Sequence, residues 1–240
     1  MQNFFCMIPQ INANIASKSI ENGSDSVVML VLGGKPPEID WLKEVSFNYK
    51  EIWAADSGGG ICRKAGLMPE YLIGDFDSIC EKDKKWFLSN GTEIIQHPAE
   101  KDLTDYQICL KTAAEKGKKN VIVTGGWGGR FDHAYSNLFS ALWGKEFGVR
   151  VICLADENES LFYVYEGESI EISFKVMPYA FSLIALESLS VVSINGAKWN
   201  LSYSQINQKH PYAISNKPEN NSIKIDVHEG SIGVYTVNKN

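Results

Sequence analysis

Through the first two thirds of the chain, short unbroken apolar runs alternate with stretches whose apolar positions recur every third or fourth residue. The runs at 27–32, 51–55, 71–73, 93–96, 121–124 and 149–154 read as strands, most of them buried on both faces. Between them lie helical patterns at 41–47, after Gly58-Gly59-Gly60 with Ile61, Ala65 and Leu67, at 78–89 capped by Ser78, at 105–116 capped by Thr104, and at 132–147. Regular alternation of strand and helix predicts an α/β fold whose mostly parallel, doubly wound sheet is covered by helices on both faces.

From about residue 160 the rhythm changes. Runs at 161–165, 169–174, 181–185, 188–194, 223–227 and 231–237 are separated by turn pairs such as Glu166-Gly167, Asn195-Gly196 and Glu229-Gly230, with no helical pattern between them. That predicts a second, antiparallel β domain. The expected organisation is a loosely ordered extension over 1–25, where Pro9 and several Asn interrupt the apolar residues, an α/β domain over 26–157 and a β domain over 158–240.

Composition narrows the partners. With 23 basic against 29 acidic residues and no basic stripe, the chain is a poor match for nucleic acid. Five widely spaced cysteines without a CxxC pair argue against a disulfide framework or zinc knuckle and fit a reducing cytoplasm. The four histidines lack metal-ligand spacing. No apolar run approaches the roughly 20 residues that span a bilayer, and no basic segment precedes residues 4–8 to make a secretory signal.

The chemistry collects after the strands. Asp56, then Asp75 with Asp77, then Asp102 with Asp105, then the glycine loop 125–130 all follow apolar runs, and in an open α/β sheet ligands bind outside the carboxyl ends of the strands. Glycine loops let backbone N–H groups approach phosphate, Arg130 can fork onto phosphate oxygens, and Lys101 supplies a point charge. Carboxylates beside phosphate repel it unless a divalent cation bridges them, so the combination reads as nucleotide-dependent phosphoryl chemistry. Plainer readings stand beside it. Asp75 to Ser78 can be a polar turn, Gly58 to Gly60 a tight strand-to-helix turn, Arg130 and Asp132 a pair across a helix start, and His133 a capping or packing residue. The glycine loop has neither Walker spacing nor a dinucleotide fingerprint, and Gly33-Gly34-Lys35-Pro36 would spoil the latter.

In this order and spacing, Ala55-Asp56-Ser57-Gly58-Gly59, Gly74-Asp75-Phe76-Asp77-Ser78, Glu100-Lys101-Asp102-Leu103-Thr104-Asp105, Gly128-Gly129-Arg130-Phe131-Asp132-His133 with Asn137, and Ile214-Ser215-Asn216 resemble the thiamine pyrophosphokinase family. The resemblance implies a Rossmann-like nucleotide domain followed by a β-sandwich, and a homodimer with active sites between subunits. It implies transfer of a pyrophosphoryl group from ATP to the hydroxyl of thiamine, with AMP as the other product. By similarity Asp75, Asp77 and Asp105 hold Mg²⁺. Asp56, Gly58, Gly59, Lys101, Gly128, Gly129, Arg130 and Asp132 line the ATP and pyrophosphate site, and Ser215 and Asn216 lie near thiamine. Asp102 or Asp56 is left to orient the hydroxyl or take its proton. Trp199, Tyr203 and Tyr212 are candidates for an aromatic wall against the cationic thiazolium, with core packing as the alternative for each. The rivals are a phosphotransferase for another alcohol and a nucleotide-binding regulatory module without turnover.

Overall fold

The computed structural model describes residues 1–20, 26–98 and 102–239. The fold is mixed α/β, and the chain divides into two compact units, Gly23–Asp156 on one side and Met1–Asn22 with Glu157–Asn240 on the other.

In the first unit six strands pair in parallel: β3 (Val27–Val31), β4 (Ile52–Ala55), β5 (Tyr71–Gly74), β6 (Glu93–Gln96), β7 (Asn120–Thr124) and β8 (Arg150–Ala155). Their spatial order is β8-β7-β3-β4-β5-β6. The chain winds outward from β3 to β6, crosses back to β7 and ends at β8, so the direction of winding reverses between β3 and β7. Every residue of β7 and β8 is buried, which only a sheet covered on both faces allows. Helices α1 (Ile39–Ser46), α2 (Gly58–Ala65) and α3 (Glu81–Ser89) pack in succession, while α4 (Asp105–Glu115) packs against α5 (Phe131–Trp143).

Local sequence accounts for some of the helix ends. Thr104 accepts from the Gln107 amide and the Gln107 side chain accepts from the Thr104 amide, a reciprocal cap that starts α4 where expected. The helix expected over 132–147 is α-helical only to Trp143, and 144–147 tighten into a 3₁₀ turn that stops at left-handed Gly148. Ser78 is not the cap of α3. That helix starts at Glu81 with Cys80 at its N-cap position, because Ser78 spends its hydroxyl on the acidic turn described below.

The second unit contains a six-stranded antiparallel sheet in the order β1-β2-β10-β14-β12-β13, formed by β1 (Gln2–Ile8), β2 (Ile11–Ser17), β10 (Ser169–Phe174), β14 (Ser222–Glu229), β12 (Ser190–Asn195) and β13 (Leu201–Ile206). It also contains β9 (Glu159–Tyr165), β15 (Ser231–Val237) and β11 (Ala180–Ala185), with β15 paired to both of the others. The loosely ordered extension is therefore overturned. Residues 2–17 form a hairpin whose alternate residues Phe4, Cys6, Ile8, Ile11, Ala13 and Ile15 are buried. Register aligns Phe4, Ile15, Ile170, Ile225 and Ile194 in one row across five strands, the cross-strand contact that stabilises a sheet face. Pro9 does not interrupt it, because Ile8 pairs with Ile11 and leaves Pro9-Gln10 as the turn. Buried Glu168 fastens the hairpin, accepting from Ser17 Oγ at 2.5 Å and from the Tyr165 amide at 3.0 Å.

Candidate functional site

The winding reversal between β3 and β7 is the place where loops from neighbouring strands part and leave a crevice. Here the Gly33-Gly34-Lys35 turn after β3 is bound to the loop after β7, with Gly34 N–H donating to the Gly125 carbonyl and Lys35 N–H to the Trp127 carbonyl, each at 2.8 Å. Beside them opens a cleft of about 750 Å³. Its lining draws on the ends of β3, β4, β5 and β7 and the starts of α4 and α5, including Lys35, Asp56, Ser57, Asp75, Ser78, Thr104, Asp105, Gly128, Gly129, Arg130, His133 and Asn137.

Gly125 is held at φ 67°, where a Cβ would lie 2.3 Å from the Leu32 carbonyl. Gly129 has φ 69° but open space around it. Gly125→Ala is expected to destabilise the protein by more than about 2 kcal/mol, while Gly129→Ala loses only about 1 kcal/mol to backbone strain. Urea denaturation of the two variants measures the difference.

Asp56, Asp75 and Asp77 each offer a carboxylate oxygen, and these oxygens lie within 4.8 Å of one another. Two left-handed residues make this convergence. Asp56 itself has φ 44° at the end of β4, and Phe76 has φ 66° while burying its ring. The turn at Phe76 carries strain of order 1–3 kcal/mol and is tied by the Asp77 amide donating to Asp75 Oδ1 at 3.1 Å. Ser78 Oγ donates to Asp77 Oδ1 at 2.6 Å and is also hydrogen-bonded to the Asp56 carboxylate. One hydroxyl proton cannot serve both acceptors at once.

Burial pushes the Asp56 carboxyl above its ordinary range; Ser78 and the Ser57 amide oppose this, and the charges of Asp105 and Asp77 reinforce it. Asp56 Oδ1 is fully buried and has no hydrogen-bond partner among the described residues. An orphaned buried oxygen beside two further carboxylates is costly unless a cation joins them. All-oxygen donors suit a hard divalent ion, so the residues fit the cation that the sequence motifs imply.

The remaining site expectations divide. Asp105 lines the cleft in the first turn of α4, near enough to act on Asp56 but outside the three-carboxylate group. Gly128 and Gly129 line the cleft as well. Gly58 and Gly59 do not; they are buried in the first turn of α2, where a Cβ on Gly58 would lie 2.2 Å from the Val31 carbonyl and one on Gly59 2.8 Å from Leu72. Arg130 is 73% exposed and forks onto Asp132, Nε to Oδ1 at 3.1 Å and Nη2 to Oδ2 at 2.5 Å. That pairing lowers the Asp132 pKa and raises that of Arg130, so the helix-start pair is formed at the cleft mouth. Asn137 donates to the Gly126 carbonyl at 3.1 Å and holds the glycine loop to α5. Asp102 is exposed and outside the cleft lining. Lys101 lies outside the described residues.

Ser215 and Asn216 belong to the other unit. Ser215 is exposed with φ 61°, its amide donating to Ser182 Oγ. Asn216 is buried and bonded in both directions to the Trp199 backbone, accepting at 3.2 Å and donating at 2.7 Å. Trp199, Tyr203 and Tyr212 are all more than half exposed, which overturns core packing for the three. Tyr203 stacks on His228 with ring centroids 4.0 Å apart. Lys35, Ser78 and Thr104 are cleft residues absent from the expected site. Lys35 had a signal, since it follows the first strand at the same edge as the carboxylates.

The sheet and its cleft define a mixed α/β protein with an acidic, glycine-walled crevice at the carboxyl edge of the strands. A family model described as thiamin pyrophosphokinase, catalytic domain, matches residues 42–153. Thiamine pyrophosphokinase 1 of Oryza sativa subsp. japonica is 28% identical over 65% of this chain and 62% of its own length. Thiamine pyrophosphokinase of Bacillus subtilis is 26% identical over 69% of this chain and 78% of its own. Among solved structures, a thiamin pyrophosphokinase family protein from Enterococcus faecalis superposes with a TM-score of 0.76 at 25% identity, covering 90% of this chain and all of that one. Thiamin pyrophosphokinase from Candida albicans shares the fold, with a TM-score of 0.75 at 16% identity. The chain is thus similar to thiamine pyrophosphokinases in sequence and in fold. No helix among the described residues is long and apolar enough to cross a membrane.

Proposed function

We propose that this chain transfers the pyrophosphoryl group of ATP to the hydroxyl of thiamine, giving thiamine diphosphate and AMP. The observation that carries the reading is the convergence of Asp56, Asp75 and Asp77 at a glycine-walled cleft in a chain similar to thiamine pyrophosphokinases. Mg²⁺ is the proposed cation, held by Asp56, Asp75 and Asp77 with Asp105 alongside; when bound it neutralises the polyphosphate and lets carboxylates and phosphate share one site.

The thiamine oxygen attacks the β-phosphorus, the bond from that phosphorus to the oxygen bridging it to the α-phosphorus breaks, and AMP leaves with that oxygen. The hydroxyl proton passes to solvent or to a nearby carboxylate. Such a transfer asks the protein for alignment and charge compensation more than for covalent help. The glycine loop, clamped by Asn137, offers backbone N–H groups to the phosphates. Arg130 can exchange part of its pairing with Asp132 for a phosphate oxygen.

In this reading the unit Gly23–Asp156 is a Rossmann-like nucleotide domain and the other unit a β-sandwich that serves thiamine. Asn216 fixes the Trp199 backbone so that exposed aromatic faces meet the thiazolium. The assembly is a homodimer with active sites formed between subunits. The working compartment is the cytoplasm, which suits five free cysteines.

The test is to incubate the full chain with ATP, Mg²⁺ and thiamine and identify the products by mass. Thiamine diphosphate and AMP appearing together, and both lost on chelation, are expected. ADP in place of AMP means single phosphoryl transfer, and ATP binding without products means a regulatory module.

A further inference from the structure

The cleft has more acid than base among its described lining residues, and Arg130 already pairs with Asp132. Lys35 stands apart. It lines the cleft, and its ammonium has no ion-pair or hydrogen-bond partner among the described residues. Its backbone is nevertheless anchored, by its own amide on the Trp127 carbonyl and by the Gly34 amide on the Gly125 carbonyl. Pro36 and Pro37 follow and fix their own φ angles.

The stem of Lys35 is gripped as well. Gly128, at φ 70°, lies over it so closely that a Cβ there would sit 2.7 Å from Lys35 Cβ. A long side chain thus emerges from a rigid junction of two loops into a cleft that Asp56, Asp75 and Asp105 also line. A flexible lysine on a free loop would bring its charge to those carboxylates; this one is held without pairing to them. A held cation, unpaired among the described residues and sharing a cleft with carboxylates, is suited to a ligand that carries anionic oxygens and a bound cation.

We infer that Lys35 is a binding residue for the triphosphate of the nucleotide, its ammonium meeting a phosphate oxygen at the junction of the loops after β3 and β7. The inference rests on the proposed reaction and adds to it a cation from outside the family motifs. As a compact point charge, Lys35 contributes to capture of the phosphate chain and not to recognition of base or acceptor.

The experiment compares the full-length protein with Lys35→Met, Lys35→Arg and a control, Lys43→Met, which removes a lysine of α1 paired with Asp40 outside the cleft. Lys35→Met is expected to raise KM for ATP by about 10- to 100-fold, the scale of a lost charge-assisted hydrogen bond. KM for thiamine and Tm should stay unchanged, Lys35→Arg should keep most of the ATP affinity, and Lys43→Met should match wild type. Equilibrium binding of Mg-ATP and AMP provides a second readout, in which Lys35→Met weakens ATP more than AMP. An unchanged KM for ATP, or equal losses for ATP, AMP and thiamine with a lowered Tm, overturns the inference. If the wild type makes no thiamine diphosphate, the reaction reading fails separately, and the binding comparison still decides Lys35: a selective loss of ATP binding upholds it, and equal binding or none by wild type overturns it.

Discussion

Replacing Asp56 by Asn is expected to leave the metal-free protein as stable as wild type or more so while cutting turnover by about 10²- to 10³-fold, the scale of removing one preorganised electrostatic contact. The two effects have opposite signs because the residue sits where charge is costly without a cation and needed with one. Its Oδ1 is buried and orphaned, and Asp75, Asp77 and Asp105 surround it. Asn keeps the shape, tolerates the left-handed backbone and removes the repulsion. The pH dependence follows from the raised pKa. Stability from the Asp56 proton is fully present below its ordinary value of 3.8 and is lost as pH rises through the higher folded value. The stability difference between the Asp56→Asn variant and wild type should therefore grow in the variant's favour with rising pH, and Mg²⁺ should reverse it by stabilising wild type more. Thermal melts of both proteins across pH, with and without Mg²⁺, measure this. A variant less stable than wild type in the metal-free state would remove the repulsion from the account.

Deleting residues 1–20 is expected to abolish cooperative folding of the second unit. Phe4, Ile8, Ile11 and Ile15 are buried, and at about 1.5–3 kcal/mol each their loss amounts to about 6–12 kcal/mol, against a typical total stability of about 5–15 kcal/mol. The deletion also leaves β10 without its neighbour β2 and Glu168 without Ser17. The milder Ile15→Ala should still fold, at a cost of about 2–5 kcal/mol. Urea denaturation tests both, and a truncated chain that unfolds like wild type would show the hairpin to be dispensable.

The sequence is most legible where one element's residues decide its state. The unbroken runs of β3, β7 and β8 could only be strands covered on both sides, and Thr104 with Gln107 announces the start of α4. The N-terminal hairpin escapes the sequence reading although its alternation is visible. Phe4, Cys6 and Ile8 repeat at period two, as do Ile11, Ala13 and Ile15, but Asn12 and Asn14 look like breaks in the run when they occupy the outward positions. β13 gives little signal, because Leu201–Ile206 is a polar, mostly exposed edge strand. At the site, carboxylates at strand ends point to the right edge of the sheet. Which of them meet is beyond sequence reading, since Asp56 joins Asp75 and Asp77 only through the adjacency of β4 and β5 and two left-handed residues.

The position of β1 and β2 has a further consequence for how the protein is made. Residues 11–16 pair with 169–174, a strand synthesised only after the whole α/β unit. The hairpin must therefore wait, uncharged from Gln2 to Ser17 and with its apolar face uncovered, while a neighbouring unit completes itself in between. Hairpins of this composition are sticky when alone. The α/β unit has short-range windings that can close early, whereas the β unit closes last and by long-range pairing. The final step of biogenesis is thus the capture of an early segment by a late one, and a nascent chain stalled before residue 169 would present the hairpin to chaperones even with its α/β unit already folded.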